Sequence, residues 1–81
     1  MIFLIEYNRG EGVMVAFQSF DDSQRREAGD ARLAIELRVN RERTDHEVVL
    51  MEAESEAALR RTHRRYFEDL REIVSSGSEL G

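Results

Sequence analysis

The chain has 81 residues, no cysteine and no proline, and carries a net charge of −5 with 36% of its residues charged. That length holds one domain and not two, and the lack of cysteine excludes disulfides and thiolate–metal staples. The acidic balance is the opposite of the basic footprint that general nucleic-acid binding requires.

The start, Met1-Ile2-Phe3-Leu4-Ile5-Glu6, has no basic leader, and its apolar run is too short for a signal peptide or a membrane span. The cytoplasm is the expected compartment, with no membrane partner. Ile2 to about Asn8 reads as a strand with Phe3, Ile5 and Tyr7 on one face and Ile2, Leu4 and Glu6 on the other. Apolar residues on both faces at its start mark a central strand. Asn8-Arg9-Gly10-Glu11-Gly12 supplies two glycines for a hairpin turn, and Val13 to Phe20 is the returning strand.

Asp21 and Asp22 can cap a helix running from Ser23 to about Arg43. It is weakened at Gly29, where glycine costs about 1 kcal/mol relative to alanine. Thr44-Asp45-His46 connects it to a third strand, Glu47 to Ala53, with Val48 and Leu50 on one face and Val49 and Met51 on the other. Ser55 caps a second helix, and Glu54 and Glu56 suit the positive end of its dipole. Leu59, Tyr66, Phe67, Leu70, Ile73 and Val74 keep helical spacing to about Val74. Gly77 stops it, so residues 1–76 form the single domain and residues 77–81 a loose tail.

The order ββαβα implies an α+β fold. A right-handed crossover makes the second and third strands parallel, and the first strand fits between them in the order 2-1-3. Both helices are then expected on one face. The arrangement resembles a ferredoxin-like fold lacking one strand, a likeness of shape that carries no function.

Chemistry-bearing patterns are sparse. His46 and His63 are the only histidines, and no serine sits in a nucleophile elbow. Gly10-Glu11-Gly12 joins two strands and opens no helix, so it is not a phosphate loop. Asp45-His46-Glu47 offers three adjacent ligand types, but neighbours in sequence rarely converge on one ion, and surface charge is the simpler reading. No catalytic, cofactor or metal residue is nominated, and a non-enzymatic protein is expected. His63 falls on the apolar stripe among Leu59, Tyr66, Phe67 and Leu70, as a packed boundary histidine, the alternative being a pH-sensing or ligand contact.

Arg60, Arg61, His63, Arg64 and Arg65 make one dense basic run on the second helix. Glu56 precedes Arg60 by four, while Glu68 and Asp69 follow Arg64 and Arg65 by four, which leaves only Arg61 without a partner at that spacing. A salt-bridged solvated face is expected, and a nucleic-acid or ligand contact through these residues is the alternative reading.

Surplus hydrophobicity is the strongest signal. Ala28, Ala31, Ile35 and Val39 line one side of the first helix, and Leu33 and Leu37 lie almost opposite. With both helices on one face, Ile2, Leu4, Val48 and Leu50 would be wet. Ile2, Leu4, Leu33, Leu37, Val48 and Leu50 are therefore the expected interface. The function expected from sequence is a small homo-oligomeric protein-interaction or regulatory module, its partner a second copy or another protein. The alternatives are nucleic-acid binding by the arginine run and a ligand pocket or active site at a dimer interface.

Overall fold

Strand β1, Ile2–Asn8, is buried along almost its whole length and lies at the centre of a three-stranded sheet of order β2-β1-β3. The computed structural model describes residues 1–68. β2 is Val13–Phe20, β3 is His46–Glu52, and β1 is antiparallel to both, as the crossover requires. In the hairpin, Gly12 takes a φ of 69°, a conformation that favours glycine, and its N–H bonds the Asn8 carbonyl at 2.8 Å. The β1–β3 register runs unbroken from Ile2↔Glu52 to Asn8↔His46. Between β1 and β2 it shifts at Glu6/Tyr7, where Ala16 pairs with Glu6 and Met14 with Tyr7. Val15 is the unpaired extra residue of this bulge and is half exposed.

A short 3₁₀ turn, Asp22–Gln24, opens onto helix α1, Arg25–Glu42. The Asp21 N–H donates to Gln24 Oε1 at 2.9 Å, which satisfies one of the free donors at this start. α1 ends on Arg43 in the left-handed region, at φ 54°.

The helices do not share a face. α1 packs Ala28, Ala31 and Ile35 over Ile2, Leu4, Phe20, Val48 and Leu50. The opposite face, with Phe3, Ile5 and Tyr7, is covered by Leu59, Tyr66 and Phe67 from the second helical segment. The expectation of both helices on one face is corrected by the pattern of β1 itself. Its apolar residues fill both faces, and each face must be covered away from water. Ile2 and Leu4 are only 2% exposed.

The second helix is also shorter than its periodicity suggests. α2 covers Glu56–Thr62, with the Ala58 N–H donating to Ser55 Oγ at 3.1 Å as expected of that cap. The helix stops at His63, and a 3₁₀ turn, Arg64–Phe67, comes next. That turn seats Tyr66 edge-on to Tyr7 at 5.3 Å and Phe67 edge-on to Phe17 at 5.6 Å. These tertiary contacts outweigh the local preference to continue a helix. The expected continuation through Leu70, Ile73 and Val74, the domain limit at residue 76 and the tail of residues 77–81 lie outside the described residues.

Candidate functional site

Alternation along β3 separates the three adjacent charged residues Asp45, His46 and Glu47. Asp45 precedes the strand and accepts from Arg9 Nε at 3.1 Å. His46 turns to the α1 face and Glu47 to the α2 face. Each of the latter two organises a polar cluster at the same end of β1.

Glu6 is the centre of the first cluster. It is the one acidic residue in β1, and its side chain is 2% exposed. One carboxylate oxygen accepts from Arg38 Nη2 on α1, and the other bonds His46 Nδ1 at 2.6 Å. A carboxylate only accepts, so in this contact Nδ1 is the donor. His46 lines a cleft of about 230 Å³ with Glu36, Val39, Asn40 and Val48. Chemically this pair fixes the orientation of the imidazole ring beside the cleft. Among the described residues no three His, Cys, Asp or Glu side chains are grouped to hold a metal ion. Sequence reasoning missed the dyad, although a lone glutamate in an apolar central strand was its available signal.

Glu47 anchors the second cluster. The Tyr66 hydroxyl donates to Glu47 Oε2 at 2.7 Å, and Arg65 Nη2 donates to the same oxygen at 2.9 Å. The Tyr66 bond, with Arg65 beside it, holds the Glu47 carboxyl below its ordinary value, against the opposing effect of burial. Tyr66 is pushed above the ordinary phenol value, by burial first and then by its bond to Glu47. The Arg65 guanidinium also lies 4.1 Å from the Tyr66 ring centre.

The break at His63 redistributes the arginine run. Arg60 pairs with Glu56 at 3.6 Å and stacks over Phe67 at 4.4 Å, and Arg64 approaches Glu68 at 3.9 Å. Arg65 uses Glu47, a partner 18 residues away; Asp69, expected from helical spacing, lies outside the described residues. Arg61 is exposed. His63 is half-buried at the junction, with Nδ1 2.8 Å from Thr62 Oγ1.

The expected interface divides in two. Ile2 and Leu4 are buried, and Val48 and Leu50 partly buried, in the packed layer under α1, because α1 covers what a one-sided arrangement leaves bare. Leu33 and Leu37 remain on the outside of α1, 54% and 58% exposed. Asp30, Ala34 and Arg41 are exposed beside them. The ion pairs of α1 among the described residues are Arg25–Glu52, Arg32–Glu36, Arg38–Glu6 and Arg38–Glu42, and none uses Asp30 or Arg41.

No helix among the described residues is long and apolar enough to cross a membrane. No known protein family, curated protein or solved structure matches this chain, so its functional reading rests on these residues alone.

Proposed function

We propose that this protein is a small non-enzymatic interaction module that works as a homodimer, associating through the outer face of α1. The carrying observation is the pair Leu33 and Leu37, one turn apart and more than half exposed on a helix whose other side already covers the sheet. Two neighbouring leucines in water gain by association. The arginine run supports a nucleic-acid role less well, since Arg60, Arg64 and Arg65 are engaged within the molecule and the net charge is −5. Sedimentation at micromolar concentration is expected to return twice the 9.4 kDa chain mass, and Leu33→Glu with Leu37→Glu to return the monomer. A parent that stays at 9.4 kDa at high concentration would sink the proposal.

A second reading, a small-ligand site, is favoured by the His46 ring beside the cleft of about 230 Å³. Its test is a thermal-shift screen of the protein against hydroxyl- and amine-bearing metabolites. A shift abolished by His46→Phe supports it, and a flat screen removes it.

A further inference from the structure

The charges flanking Leu33 and Leu37 specify which way round a second copy docks. Resting on the homodimer reading, we infer that two α1 helices pack antiparallel about a twofold axis level with residue 35, so that Asp30 of each copy meets Arg41 of the other.

Asp30 and Arg41 are eleven residues apart. At about 100° per residue that is three full turns and roughly 20°, so both lie on the same flank of the leucine pair. Leu33 and Leu37 are centred on position 35; Asp30 lies five residues before it and Arg41 six after. An antiparallel twofold exchanges the two ends of the helix and keeps the flank. It sets each Leu33 level with the other copy's Leu37, and each Asp30 within one residue, about 1.5 Å of rise, of the other copy's Arg41. Ala34 lies on that flank between the charges and lets the backbones approach.

The opposite orientation is disfavoured by the same residues. In a parallel pair the two Asp30 residues lie at one height and the two Arg41 residues at another, on opposite sides of the seam, so no opposite charges pair. A surface complementary to itself only in the antiparallel sense points to a second copy of this chain rather than an unrelated protein. Both residues are exposed and make no ion pair with another described residue, so the charges are available for this contact.

The test is a charge exchange read by sedimentation equilibrium, with circular dichroism confirming the fold of each variant. Asp30→Arg and Arg41→Asp are each expected to weaken dimerisation about tenfold, because every substitution enters the dimer twice and sets like charges together. The double variant, Asp30→Arg with Arg41→Asp, rebuilds the pair in reverse and is expected to return to within about threefold of the parent. A dimeric parent whose double variant is as weak as the singles would overturn the register and leave self-association standing. A monomeric parent would overturn the homodimer reading, and the register with it.

Discussion

Gly29 sits within α1 with nothing within 4 Å of where a Cβ would be placed. Glycine there costs backbone entropy without serving a turn or a close approach. Gly29→Ala is expected to stabilise the fold by about 0.5–1 kcal/mol, read as a rise of roughly 3–6 °C in melting temperature. An unchanged or lower melting temperature would show that the glycine has a role the fold does not reveal. His63 presents the converse case. It ends α2, and its backbone N–H bonds the Leu59 carbonyl at 2.9 Å, a bond that alanine retains. What His63→Ala removes is the half-buried ring and its contact with Thr62, worth about 1 kcal/mol. An equal urea midpoint for the two proteins would mean that the ring is not structural, and a search for a further binding site should then start there.

Among the elements, α1 is held to the sheet by an apolar stripe and by one polar clasp, Glu6 with Arg38 and His46. The two ends of this clasp are not equivalent. Arg38→Met leaves a carboxylate 2% exposed with His46 as its remaining side-chain partner. That is expected to cost about 2–3 kcal/mol, below the roughly 3–5 kcal/mol of a fully buried pair because Arg38 itself is partly solvated. Glu6→Gln keeps the shape and an acceptor for Arg38, and is expected to cost under about 1.5 kcal/mol. Urea unfolding of both variants checks the order, provided the slope stays that of the parent. A larger loss for Glu6→Gln would mean that the charge on Glu6, not its burial, dominates the clasp.

For the whole molecule, stability should fall at both ends of the pH scale through the Glu47–Tyr66 pair. The Glu47 carboxyl is lowered in the fold, so its contribution is present above the ordinary value of 4.5 and is lost as pH falls through the lowered one. Tyr66 is raised from 10.0, so its contribution is full below that value and is lost as pH rises through the raised one. Glu47→Gln is expected to flatten the acid limb and Tyr66→Phe the alkaline limb of denaturation midpoint against pH. Variants whose limbs keep the parent's slope would move the pH dependence to other groups.

The strands, the strand order and the first helix were legible in the sequence because each rests on a local signal: alternation in Ile2–Asn8, the Gly10/Gly12 hairpin, and the apolar stripe from Ala28 to Val39. The exposure of Leu33 and Leu37 was legible for the same reason, since 3.6-residue periodicity places them opposite that stripe. Three features were decided only by the tertiary structure. That both faces of β1 need a cover follows from its own apolar pattern, but which helix takes which face depends on docking across long sequence separations. The break at His63 results from Tyr66 meeting Tyr7 and Glu47. The Glu6–Arg38–His46 clasp joins residues up to 40 positions apart, and the sequence presents them as one odd glutamate, one surface arginine and one loop histidine. Periodicity assigns a side chain to a face of its own element. Which element covers that face is set by the closure of the whole chain.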